Sequence, residues 1–311
     1  MHRLKINKNI LKSEKMMVLL ALFVCLLWGS AYPSIVVSYN ILNVNTNDVF
    51  QVMVFAGTRF MISSILIFIY AKFTNKSMYV PAKGLAMIAV LGLIQTFGQY
   101  AFFFSGLRTV HPANASIVSS LGVFMTVVIA HFFYRTDRLT TKKIIGMSFG
   151  ILGIIILNGG TAGGFTLVGE GALLMAALLG AIAGVYTKKL TTYSSPYAIS
   201  AYQLLIGSTL LLTLGLTLSQ NLSFTFTLGS TTLLLYLGFL SAAAFTLWSA
   251  LLKYHPVSKV SIYKFSIPVF GVILSFIFLA NEFDIIPVTI ALILVVTGII
   301  LINLPQKGTQ K

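Results

Sequence analysis

Ten runs of apolar residues occupy the chain almost from end to end, at 16–39, 50–72, 84–107, 113–134, 141–158, 167–187, 197–219, 228–252, 258–280 and 284–304. A hydrocarbon core about 30 Å thick takes about 20 helical residues to cross, and the runs are of that size. In lipid every backbone amide must find its partner within the protein, so such runs form helices or closed barrels, and the alternation of barrel strands is absent. The expected fold is therefore all-α, a multi-pass membrane protein of ten transmembrane helices. With 57% apolar and 9% charged residues, the chain has too little charge to clothe a water-soluble globule.

The runs are also written twice. His111-Pro112 returns as His255-Pro256 after 144 residues, Asp137 returns as Glu282 after 145, and the stretch from Gly153 to Asn158 returns from Gly298 to Asn303. Five helices per copy is an odd number, so the second copy must cross the bilayer in the opposite sense. The expected organisation is a basic tail at 1–15, one five-helix repeat at 16–158, an outer linker at 159–166 rich in glycine, an inverted second repeat at 167–304 and a short tail at 305–311. Secondary transporters build a site reachable alternately from either face out of such inverted pairs, and transport is the leading expectation.

The formal charge of +15 does not point to nucleic acid, because the basic residues fall in short pieces between apolar runs and form no continuous face. They report orientation instead. Eighteen of the 21 lysines and arginines lie on the side of the amino terminus, Arg108 alone lies opposite, and Arg59 and Lys264 fall within spans. The positive-inside rule then places both termini in the cytoplasm and the protein in the cytoplasmic (inner) membrane. The 24-residue run at 16–39 is longer than the apolar core of a secretory signal and reads as a retained first span. The single cysteine, Cys25, can close no disulfide within one chain. Short connections leave no room for a soluble ATP-binding domain, and no phosphate-binding loop motif occurs.

Trp28-Gly29 in the first run, Arg59 in the second and Asp137 to Thr140 before the fifth, with Ile267 to Phe270 and Asn281-Glu282 in the second half, resemble the EamA family of the drug/metabolite transporter superfamily. The resemblance covers about residues 16 to 304 and implies a ten-helix exporter of amino acids or other small metabolites, not an enzyme, with no prosthetic cofactor. Three positions depart from the pattern. Leu121 to Phe124 lacks the proline that Pro268 supplies in the second half, so the fourth helix is expected to be straighter than the ninth. Thr136-Asp137 stands where Gly-Glu is usual, and Lys264 adds a charge that the resemblance does not imply.

Arg59 is the sharpest candidate for substrate binding. It lies about 15 Å from either end of its span, too deep to snorkel comfortably, and the six acidic residues all sit at span ends or in loops. Either an anionic group of the substrate answers the guanidinium, or Arg59 braces neighbouring helices. Its repeat equivalent is Gln203, so the pair is charged on one side only, which favours anionic or zwitterionic cargo. Lys264, nearer the cytoplasmic end of its span, either snorkels or joins the site. Gln95 and Gln99, with Tyr100 beside the latter, offer hydrogen bonds to cargo or between helices. Trp28, Tyr186, Tyr202 and Trp248 offer an aromatic wall for an apolar side chain, or serve in packing and at the membrane interface. Gly146 with Gly150, and Gly180 with Gly184, have the spacing that lets helices approach closely, within one chain or in a homodimer.

No metal is expected. His111 and His255 fall on opposite sides under the inversion, and His131 has no acidic ligand at a known spacing. The expected partners are a small zwitterionic or anionic substrate and the lipid bilayer, for a monomer or homodimer. Efflux of drugs or toxic compounds conflicts with Arg59 and Lys264 where the cargo is cationic. A lipid-modifying enzyme lacks an acidic cluster, and a non-catalytic subunit of a larger assembly is the remaining alternative.

Overall fold

The computed structural model describes residues 11–110, 112–158, 166–219, 222, 224–279 and 285–303, apart from the side chains of residues 112–114 and 136. The greater part of each tail, His111, the linker glycines, Glu282 and Asp284 lie outside them. Ten helical segments follow one another: α1 Glu14–Leu42, α2 Val49–Phe73, α3 Ala82–Leu107, α4 Pro112–Phe133, α5 Thr141–Leu157, α6 Leu167–Leu190, α7 Pro196–Leu218, α8 Leu228–Tyr254, α9 Val257–Leu279 and α10 Ile285–Asn303. Among the described residues nine are long and apolar enough to cross a membrane. The tenth, α5, has 17 residues, about 25 Å of helix and at the lower limit for a span.

Local chemistry sets the ends. Asp48, Thr140 and Ser195 each turn a side-chain oxygen onto the first amides of α2, α5 and α7, and Thr227 and Ser230 form a reciprocal capping box at α8. Two helices change register within their length. α3 is π-helical from Gly92 to Gly98, where the Gln99 amide reaches back five residues to the Ile94 carbonyl. α9 tightens to 3-10 geometry over Ile262–Phe265, where Ser266 donates to the Tyr263 carbonyl. Pro268 explains the second change: it has no N–H to offer the Lys264 carbonyl four residues earlier. α4, without that proline, is α-helical throughout.

The most extensive packing joins α2 to α7 and α5 to α10, followed by α4 with α6 and α1 with α9, then α8 with α1 and α2, and α3 with α6 and α7. Replacing each helix by the one five positions away returns the same set of pairs. Glycines permit the tightest approaches. A Cβ at Gly146 would lie 2.7 Å from the Gly298 carbonyl oxygen, so α5 and α10 use this face against each other. Gly150 meets the Phe265 ring, Gly180 meets the Gln99 amide, and Gly184 has ordinary room beside Thr126.

Contacts at the two ends fix which termini meet. On the tail side, Lys259 at the start of α9 pairs with Glu14 at the start of α1, and the Lys188 ammonium at the end of α6 donates to the Leu252 and His255 carbonyls at the end of α8. On the far side, Thr225 before α8 donates to the Leu42 carbonyl at the end of α1, and Ser219 after α7 donates to Asp48 before α2.

Candidate functional site

Seven helices enclose one cavity of about 310 Å³, to which α5, α7 and α10 contribute no lining residue. In α1 the lining runs from Trp28 to Ile35, in the half farther from the tail. The nearer half of α1 is packed shut: Met17, Ala21, Val24 and Cys25 are fully buried in one core with Leu251, Leu252, Val257 and Val260. The cavity is therefore floored on the tail side.

Its lining repeats the sequence offset. Ten pairs of lining residues stand 145 positions apart, among them Gln95 with Leu240, Tyr100 with Phe245, Phe103 with Trp248 and Ser119 with Lys264. The two halves of the chain thus surround the space with equivalent stretches of α1 and α6, α3 and α8, and α4 and α9. Arg59 is among the lining residues with no such counterpart, since neither Gln203, 144 positions on, nor Leu204, 145 positions on, lines the cavity.

Of the residues singled out from sequence, Trp28, Arg59, Gln95, Gln99, Tyr100, Trp248 and Lys264 lie around this space. Arg59 is 5% exposed. Its Cζ lies 4.4 Å from the centre of the Phe60 ring, the Tyr100 and Tyr39 phenols are its electrostatic neighbours, and its Nε–H is buried with no hydrogen-bond partner among the described residues. An unanswered donor on a buried guanidinium is costly unless something else answers it.

The 3-10 turn in α9 delivers Lys264 to the same cavity. Its ammonium lies 5.7 Å from the Trp28 ring centre and 5.1 Å from that of Trp248, and the two indoles are 5.2 Å apart at 56°. The amine thus sits over two electron-rich faces, a cation–π geometry. Among the described residues neither Lys264 nor Arg59 has a carboxylate within ion-pair distance, and none lines the cavity. The π-helical stretch of α3 sets Gln95 and Gln99 on the same wall.

Tyr202 and Gln203 are not brought there. Tyr202 packs edge-on against Phe68 with centroids 5.1 Å apart, and together with Tyr186 covers the Ile88, Leu91 and Ile199 cluster. Gln203 accepts a 2.7 Å hydrogen bond from Thr96, tying α7 to the π-helical turn. Phe103, Tyr32, Phe245 and Ser119 line the cavity without having been singled out. The repeat offset carried a signal for three of them, since Phe103 and Ser119 stand 145 positions before Trp248 and Lys264, and Phe245 stands 145 positions after Tyr100.

Comparison with known proteins agrees with the helical architecture. The model of the EamA-like transporter family matches residues 15–159 and again 167–304. A probable amino-acid metabolite efflux pump of Salmonella typhimurium is 27% identical over 267 residues, covering 81% of this chain and 83% of that protein. An uncharacterised transporter of Bacillus subtilis is 24% identical over 258 residues, covering 79% and 83%. An aromatic amino acid exporter of Ancylobacter novellus is 33% identical over 100 residues, 32% of this chain and 34% of that one. One solved structure superposes with a TM-score of 0.78 at 17% identity over 94% of this chain and 98% of its own, a likeness of fold. The family and these relatives are transporters, not enzymes. This multi-pass membrane protein belongs to the EamA-like transporter family.

Proposed function

We propose that the protein exports an amino acid or related small carboxylate-bearing metabolite across the cytoplasmic (inner) membrane by alternating access. The two working halves are the inverted repeats at 16–158 and 167–304, and both termini are cytoplasmic. The reading rests above all on the cavity itself: lining residues 145 positions apart face one space, with a buried, unanswered Arg59 donor beside it. A substrate carboxylate matches the guanidinium fork.

Inversion draws support from the end contacts. α1 begins on the tail side beside α9, whereas α6, its equivalent in the second half, ends there against the last turn of α8. The packed floor on that side corresponds to a conformation closed to the cytoplasm, and exchange of the equivalent helix pairs would open it while closing the other face. The relatives named for export of amino acids or their metabolites favour the same cargo class.

Purified protein in liposomes tests this directly. Saturable flux of a carboxylate-bearing solute is expected, and Arg59→Ala should reduce it about tenfold or more, the scale of one lost charge-assisted hydrogen bond. Unchanged flux in a variant that elutes and unfolds like the parent would remove Arg59 from the site. No flux across a broad panel of solutes would remove the transport reading.

A further inference from the structure

The charge of the cavity narrows the substrate further, on the premise that this cavity is the transport site. Each half of the chain contributes one cation, Arg59 from the first and Lys264 from the second, and among the described residues no carboxylate lines the space to balance either. A guanidinium does not deprotonate in a protein, and the Lys264 amine lies over the Trp28 and Trp248 rings, where an ammonium makes cation–π contacts. A zwitterionic amino acid would answer one cation with its carboxylate and bring an ammonium into a space that already holds two positive charges. A monocarboxylate would leave one cation unanswered.

We propose that the cavity selects a small organic solute with two anionic groups, one held by the Arg59 guanidinium and the other by the Lys264 ammonium. Two carboxylates, or a carboxylate and a phosphate, meet this description. The cavity, about 310 Å³, is at the small end of ligand pockets. A linear solute with an anion at each end spans the two halves, so that binding one group to each half ties them together. Gln95, Gln99 and Ser119 remain for the hydroxyl or carbonyl groups between the two ends.

Equilibrium binding to the detergent-solubilised full chain, with succinate, 3-phosphoglycerate, leucine and lysine as probes, separates this idea from transport as such. At pH 7 succinate or 3-phosphoglycerate should bind about tenfold or more tightly than leucine, the scale of one uncompensated charge in a partly screened site, and lysine should bind weakest. Comparison of succinate with 3-phosphoglycerate, whose phosphate carries extra charge at pH 7, distinguishes a site built for carboxylate from one built for phosphate. Lys264→Gln should erase most of the preference for doubly anionic probes over leucine, and Lys264→Arg, which keeps the charge, should preserve it. Leucine binding as tightly as the dianions, or a preference unaltered in a folded Lys264→Gln protein, overturns the proposal. Either result leaves the transport reading standing, whereas liposomes that move no solute, despite clear dianion binding, would overturn transport and leave the site assignment in place.

Discussion

Arg59 and Gln203 occupy equivalent positions in the two halves, and both are almost completely buried, yet their polar groups have different fates. The glutamine oxygen is spoken for by the Thr96 hydroxyl, whereas the arginine Nε–H has no such partner. Gln203→Leu should therefore lower stability by about 1–3 kcal/mol, because it leaves the fully buried Thr96 hydroxyl without its acceptor. Substrate affinity should not change. Thermal unfolding in detergent measures the first effect and ligand titration the second; a large loss of affinity at unchanged stability would place Gln203 in the site after all. The depth and isolation of Arg59 were legible in the sequence, since no acidic residue shares its level. The placement of Tyr202 and Gln203 was not, because helices in lipid are apolar on nearly every face, and no polar stripe marks which side meets a cavity.

Among the elements, α9 departs furthest from a plain span, and its start is held from the other half of the chain. Asp137, fully buried before α5, accepts from the Val257 amide at 2.6 Å and from the Ser258 amide and hydroxyl, and lies 3.4 Å from the Lys143 ammonium. A carboxylate at a helix start answers orphan amides and the positive end of the helix dipole together. Asp137→Ala should cost about 2 kcal/mol or more, the upper part of the range for a lost cap, because Lys143 also loses its ion-pair partner and keeps the Arg138 carbonyl. The unfolding midpoint should fall accordingly, and an unchanged midpoint would count against this staple. Just before α9, burial holds the His255 imidazole below the ordinary histidine value, so that the neutral ring meets the Leu11 carbonyl at 2.8 Å. Because burial makes the folded value the lower one, the neutral ring contributes stability that is full above about pH 6.5 and is lost as pH falls below it, even though the Leu11 contact itself favours the charged ring. The unfolding midpoint should therefore fall between pH 7.5 and 5.5, and His255→Gln should flatten the response. The sequence marked Asp137, His255 and Pro268 as repeated or kinking positions. Their meeting at the start of α9 depends on packing between distant helices, which no local pattern encodes.

For the molecule as a whole, a duplicated chain encodes much of its own site. Residues a fixed 145 positions apart return to one cavity, which is why the architecture was readable from hydropathy and an offset, while the shape of the cavity, set by a π-helical turn in α3 and a 3-10 turn in α9, was not. The floor of that cavity offers a test of motion. Cys25, the single cysteine of the chain, is fully buried there, its thiol donating to the Tyr263 carbonyl at 3.2 Å. A thiol so placed is inert until the packing around it separates. Alternating access requires that separation, because a route to the tail side must part Met17, Val24 and Cys25 from Leu251 and Val260. A membrane-impermeant thiol reagent on the tail side should therefore label Cys25 slowly in the closed state, and faster under conditions that drive turnover. The same reagent on the far side should leave it untouched, since α1 presents its cavity-facing residues from Trp28 onward. Labelling from the far side alone, or tail-side labelling indifferent to a transported solute, would contradict a floor that opens in turn with the opposite face.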